Sequence, residues 1–407
     1  MSYRREPHER RCAFCGRPRQ EVRKLVAGPN VYICDRCVTV CRHLLVEERR
    51  VRQAVSPPAE SRPQKPKEIK ERLDEWVIGQ DRPKRMLAVA LYNHLKRAQL
   101  LNQASDIELT KANIVLIGPP GTGKTHLART LARLLDVPFT MADATPLTQA
   151  GYVGEDVESV IAKLLRAADN NVERAQRGII YLDEIDKLAK RPGHDRDVSG
   201  EGVQQGLLKI LEGKRVIVRM GADKTGMGGE PVEIDTSNIL FIAGGAFEGL
   251  QHRIAERRNE RRSGFLAKVA SEDRLEGEGD LLPEDLHKFG LLPEFVGRFP
   301  VRVMLSALDE EMLVRIMTEP KDALLKQYQR LFSMDGAELE CTHDGLLALA
   351  RQAMARNAGA RGLRSVMEEL LLDSMFDLPT SQGARYVIDA EAVAGGAVKR
   401  VHARTAA

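Results

Sequence analysis

The stretch Asn113-Ile114-Val115-Leu116-Ile117-Gly118-Pro119-Pro120-Gly121-Thr122-Gly123-Lys124-Thr125-His126 decides the reading of this chain. Asn113–Ile117 is an apolar run that predicts a buried strand. Gly118–Thr125 fits G-x-x-x-x-G-K-[ST], and His126–Leu135 has the pattern of a helix, so the motif sits in the strand–loop–helix context it requires. Glycines let backbone N–H groups turn toward a polyphosphate, and the amino end of the helix adds partial positive charge. Lys124 is expected to reach the β- and γ-phosphates of ATP, and the Thr125 hydroxyl to bind Mg²⁺. Pro119, Pro120, Gly121, Thr122, Gly123 and His126 complete the expected nucleotide cradle.

Moving outward, the run Gly178–Leu182 predicts a second strand, and it ends in Asp183-Glu184. An acidic pair at the carboxyl edge of a parallel strand falls beside the phosphate loop. Asp183 is expected to hold Mg²⁺ through water, and Glu184 to orient and deprotonate the attacking water, because phosphoryl transfer rests on positioning. Asn238–Ile242 predicts a third strand. Strands alternating with helical patterns from Glu68 to about Ser306 imply an α/β fold, a parallel sheet flanked by helices. From Asp309 the pattern is mostly helical, over Glu310–Leu331, Thr342–Asn357 and Leu363–Met375, with a short strand at Arg385–Ile388. That is a smaller α-rich domain.

Toward the amino end, Pro57–Pro66 holds four prolines and reads as an extended linker. Before it, Cys12-x-x-Cys15 and Cys34-x-x-Cys37 are separated by 18 residues, the spacing of a four-thiolate Zn²⁺ site. Four sulfur ligands leave no open position, so the ion is structural, and a module of this size needs it because its own core is small. Cys41 and His43 read as helix residues after the site, and Cys341 as a core or surface thiol. The expected divisions are a zinc-binding region 1–52, a linker 53–66, a large domain 67–306 and a small domain 307–407.

Composition limits the alternatives. The 407 residues are 43% apolar and 29% charged, which suits a globular chain. Aromatics are only 4%, with one Trp, so the core is aliphatic. No apolar run approaches the roughly 20 residues that span a bilayer, and Met1–Pro7 has no apolar signal region. No membrane partner is therefore expected, and six cysteines are too sparse for a disulfide scaffold, which points to reducing cytoplasm. Residues 1–65 carry 15 Lys/Arg against 7 Asp/Glu, a local +8, while the remainder carries 47 against 51. The basic head suits either a nucleic-acid or acidic partner, or a solvated face.

Cleavage of a polyphosphate also needs cations. Arg298 and Arg361 read as sitting in short Gly-containing turns, Gly297–Pro300 and Gly359–Gly362, but spacing alone does not separate them from solvated arginines. Gly151-Tyr152-Val153-Gly154 by itself reads either as a turn under a core tyrosine or as an exposed gripping loop.

The runs Gly118–Thr125, Met141–Thr145, Gly151–Glu158, Tyr181–Lys187, Arg196–Gln205 and Gly359–Ser365 closely resemble the ClpX family, in the same order along about residues 10–390. Members of this family are AAA+ unfoldases that feed proteins to the ClpP peptidase. The resemblance implies an AAA+ P-loop core, a small α-rich domain and a treble-clef-like zinc module that dimerises and docks substrates and adaptor proteins. It implies that Val77 and Ile78 contact adenine, that Arg361 senses the γ-phosphate, and that Arg298 reaches a neighbouring subunit's nucleotide in a homo-hexamer. It places Tyr152 and Val153 in the loop lining the central pore, with Arg196 in a second pore loop; protein substrates are thus expected, and nucleic acid is not.

Two departures stand out. The aliphatic-Gly-Phe tripeptide that plugs into the peptidase ring is Ser263-Gly264-Phe265 here. Gly264 and Phe265 remain for docking, and losing the aliphatic anchor costs on the order of 1.5–3 kcal/mol per loop. The insertion Lys214–Thr236 lacks the family's basic triplet and has a glycine-rich, nearly neutral tip, so tag preference is expected to differ.

Overall fold

The computed structural model describes residues 11–29, 31–42, 65–100, 109–148, 155–190, 200–220, 230–262, 281–356, 359–380, 383–395 and 398–402. The chain forms two compact units, Met1–Arg62 and Pro63–Ala407.

In the first unit, β1 (Leu25–Gly28) and β2 (Val31–Cys34) make an antiparallel hairpin. A bridge between Arg11 and Pro18 closes the first cysteine knuckle, and residues 35–42 are helical after the second.

The second unit opens with α1 (Pro66–Asp74) and α2 (Asp81–Leu100). Pro66 begins α1, where its missing N–H has no helical partner to lose. Then come β3 (Ile114–Ile117), α3 (Lys124–Leu135), β4 (Phe139–Asp143), α4 (Glu158–Ala167) and β5 (Ile179–Asp183). They are followed by α5 (Glu201–Leu211), the hairpin β6 (Arg215–Met220) and β7 (Glu230–Asp235), and β8 (Leu240–Gly245). α6 (Leu250–Arg262), α7 (Pro283–Phe289), α8 (Pro293–Gly297) and β9 (Val301–Met304) complete this part.

Five strands form one parallel sheet in the order β9-β3-β8-β5-β4. Successive side chains of a strand face opposite sides. Ile114 and Leu116 therefore pack with Leu87, Leu91, Leu127 and Leu131 on one face, while Val115 and Ile117 belong to the other face's core, with Val160, Ile161 and Leu164. Burial on both faces explains why these strands read as unbroken apolar runs.

The carboxyl-terminal part has its own core, containing Leu313, Met317, Phe332, Leu349, Leu371 and Ile388. The helical pattern over Glu310–Leu331 is not one helix. α9 (Glu310–Thr318) is capped by Glu319, which keeps right-handed helical geometry, and stops at Pro320, which has no N–H to continue the helical hydrogen bonds; α10 (Leu324–Met334) follows. β10 (Glu338–Cys341), α11 (His343–Ala355), α12 (Ala360–Asp377), β11 (Ala384–Ile388), α13 (Ala390–Gly395) and β12 (Lys399–His402) complete the chain. The expected short strand is therefore the centre of a three-stranded sheet, β10-β11-β12.

Candidate functional site

β3 turns into the phosphate loop at Gly118, where an added Cβ would lie 2.9 Å from the carbonyl oxygen of Leu305. Gly121 and Gly123 have φ of 76° and 93°, a region in which side chains are strained. Gly123 caps α3 without a side chain, so the helix's first N–H groups remain for a ligand. Lys124 Nζ donates to the carbonyls of Gly118 at 2.6 Å and Pro119 at 2.9 Å, curling over the loop. Burial lowers the Lys124 pKa, the Arg361 charge adds to this, and Asp183 and Asp186 oppose it. A cation held in this way gains from the arrival of phosphate oxygens.

At the carboxyl end of β5, Asp183 Oδ1 accepts from Tyr181 Oη at 3.1 Å and from the Glu184 N–H at 3.0 Å. Its other oxygen, Oδ2, faces the Thr125 hydroxyl at 3.4 Å. These are hard oxygen donors of the type that Mg²⁺ takes together with waters and phosphates. Glu184 follows with φ 55°, exposed where Asp183 is half-buried.

A cavity of about 280 Å³ adjoins the loop. Val77, Ile78, Gly121, Thr122, Gly123 and His126 line it, and Pro119 and Pro120 line a separate cavity of about 240 Å³. The sequence did not reveal Trp76, or the opposite wall of Leu308, Ile316, Leu363 and Arg364 from the carboxyl-terminal part. Apart from Trp76 and Arg364, these are apolar residues whose helical spacing reads as ordinary core. Lys84 also gave no signal, and Gln80 stood only as the last residue of the segment Val77–Gln80 that the resemblance places against adenine. Buried Lys84 bonds the Val77 carbonyl at 3.0 Å and pairs with Asp74. Gln80 exchanges two hydrogen bonds with the backbone of Ser306, at 2.9 and 3.0 Å, tying the Val77–Ile78 segment to the start of the carboxyl-terminal part.

Arg361 lies in the first turn of α12, not in a turn between elements. Gly359 caps that helix with φ 54°, and an added Cβ would lie 2.9 Å from Gly121 Cα. This brings Arg361 within electrostatic reach of Lys124.

Arg298 is placed differently. It follows α8 and precedes β9, and Val301 pairs with Ile114 at the amino end of β3, whereas the loop leaves the carboxyl end. The strand alone separates them by about 13 Å. The Arg298 guanidinium bonds Glu212 Oε1 at 2.8 Å.

In the amino-terminal unit the sulfurs of Cys12, Cys15, Cys34 and Cys37 lie within 4.8 Å of one another. Tetrahedral zinc–sulfur bonds of about 2.3 Å require sulfurs about 3.8 Å apart, so the cluster fits Zn²⁺. The Cys34 N–H donates to Cys12 Sγ at 3.3 Å and the Cys37 N–H to Cys34 Sγ at 3.4 Å, both suited to thiolates.

Tyr152, Val153, Arg196, Ser263, Gly264, Phe265, His43 and the hairpin tip at 221–229 lie outside the described residues. Among the described residues, no helix is long and apolar enough to cross a membrane.

A parallel sheet with a phosphate loop, an acidic strand end and a helical part closing on the loop defines a nucleotide-binding protein of the AAA class. Residues 109–302 match the family described as AAA domain (Cdc48 subfamily), and residues 308–389 match the C-terminal, D2-small domain, of ClpB protein. Residues 10–47 match the ClpX C4-type zinc finger. With this finger ahead of the AAA domain, the chain has the domain set of a ClpX-type AAA+ protein, which supports the ATP-dependent Clp chaperone class.

Proposed function

We propose that the chain is an ATP-dependent protein unfoldase and translocase that works as a homo-hexameric ring and threads substrates through a central pore into a ClpP-type peptidase. Lys124 and the loop N–H groups bind the phosphates, and Thr125 and Asp183 hold Mg²⁺, which screens phosphate charge when bound. Glu184 orients the attacking water and takes its proton. Arg361 reports the γ-phosphate to the small domain, near residues 307–407. Tyr152, Val153 and Arg196 grip the polypeptide, Gly264 and Phe265 dock the peptidase, and the zinc module receives substrates and adaptors in the cytoplasm.

The observation that carries the ring is the position of Arg298. It stands at the end of the sheet away from its own phosphate loop, so an arginine acting on phosphate from there serves another copy's site. The loss of the aliphatic anchor at Ser263 favours a second reading, a remodelling chaperone of the same fold that acts without a peptidase. The test is degradation of a folded fluorescent substrate with and without a ClpP ring. Loss of fluorescence with peptide products only when both are present is the expected result. Unfolding without degradation selects the second reading, and a Tyr152→Ala variant that unfolds at the wild-type rate overturns the pore assignment.

A further inference from the structure

The ion pair of Arg298 leads further, resting on the reading that this arginine acts on a neighbouring copy. Its backbone is pinned: the N–H donates to Phe295 O at 3.1 Å, and the carbonyl accepts from Asn113 Nδ2, a nearly fully buried side chain, at 3.0 Å. Only the side chain is free to change partners, and it is 44% exposed. Its present partner, Glu212, caps the carboxyl end of α5, where the helix dipole disfavours an anion. Two cations compensate. Lys214 Nζ binds Oε2 at 2.9 Å while Arg298 binds Oε1. The hydrogen bond from Lys214, with the Arg298 charge, holds the Glu212 carboxyl below its ordinary range against the opposing effect of burial. Lys214 immediately precedes β6, at the root of the inserted hairpin.

We propose that Glu212 is a positioning residue that holds Arg298 until the guanidinium transfers to the terminal phosphate of ATP on a neighbouring copy. A dianionic terminal phosphate outcompetes a single carboxylate for a planar guanidinium. After the transfer, Glu212 retains only Lys214. Loading of one subunit is thereby felt at the hairpin root of the next.

The experiment measures binding of a fluorescent ATP analogue and a fluorescent ADP analogue to the assembled full-length chain with Mg²⁺. Glu212→Gln frees Arg298 and is expected to tighten the ATP analogue by about 1.5- to 5-fold, the range of a partly exposed ion pair, without moving the ADP analogue. Lys214→Met leaves Arg298 as the sole cationic partner of Glu212 among the described residues and is expected to weaken the ATP analogue. Both shifts are expected to vanish in an Arg298→Ala background. Shifts of the same sign in the two variants, shifts that survive without Arg298, or no shift in Glu212→Gln would each overturn the proposal. Failure of the underlying reading looks different: Arg298→Ala would then hydrolyse ATP at the wild-type rate.

Discussion

The Ala360 N–H donates to the carbonyl of Gly121 across 3.2 Å, so the first turn of α12 rests on the phosphate loop itself. No side chain fits between them, because Gly359 approaches the backbone of Pro120 and Gly121 too closely. Nucleotide entering the loop therefore meets the carboxyl-terminal part directly, and that part can respond as a body through the Gln80–Ser306 clamp.

Gly359→Ala is the first test of this contact. The residue has φ 54° and ψ −140°, and the new Cβ meets Gly121 Cα at 2.9 Å. Strain of about 1–3 kcal/mol is expected, expressed mainly as roughly tenfold weaker ATP binding, because relief requires α12 to move off the loop. Titration with a fluorescent ATP analogue checks this, and unchanged affinity would mean that the contact is not part of the site.

The two carboxylates at the end of β5 should separate by function. Glu184→Gln is expected to bind ATP while turnover falls about 10²-fold or more. Asp183→Asn removes the oxygen facing Thr125 and is expected to weaken binding only when Mg²⁺ is present. Equilibrium binding with and without Mg²⁺, beside steady-state hydrolysis, distinguishes the two. Equal defects in both variants would show that the acidic pair acts as one group.

Removal of zinc should be confined to the amino-terminal unit. Chelation is expected to release one ion per chain and unfold the hairpin β1–β2, since among the described residues of this unit no apolar core holds the four thiols together. The unit Pro63–Ala407 keeps its own cores, so its melting transition and basal ATP turnover are expected to change by less than about twofold in rate. Loss of that transition on chelation would contradict the independence of the units.

Lys111 supplies a pH test of the sheet's far end. Its Nζ donates to Thr236 O at 2.8 Å and lies 4.5 Å from the centre of the Phe241 ring. Burial, with the Arg97 charge and against Asp235, pushes its pKa down to about 7 from the ordinary 10.5. Between these values the unfolded chain holds more protons than the folded one, so stability from this group rises with pH over that window. Lys111→Met is therefore expected to stabilise the protein more at about pH 7 than at about pH 10, as read from urea midpoints. An equal gain at both would show that Lys111 stays charged when folded.

Much of this was written locally in the chain. The phosphate loop needs a strand before it, glycines within it and a helix after it, and all three are contiguous in Asn113–Leu135. The zinc cysteines are likewise a matter of spacing, and the buried strands show themselves because both faces of the sheet are covered. The resemblance of the ordered motifs to the ClpX family added the carboxyl-terminal arginine. Spacing alone did not reveal that Pro320 splits a helical run, or that Glu338–Cys341 and Lys399–His402 join one sheet, because these two short segments are mostly polar and carry too little apolar pattern.

The sequence by itself determined the phosphate loop and the four zinc cysteines, since each is set by residues close together along the chain. Only the tertiary structure decided which surface closes the cavity beside the phosphate loop, that Lys84 and Gln80 brace the Val77–Ile78 segment, and that Arg298 lies with Glu212 away from its own phosphate loop. Gln80 and Ser306 are 226 residues apart, and Arg298 and Glu212 are 86 apart. Contacts at such separations follow from strand order and helix packing, which no local pattern of residues encodes.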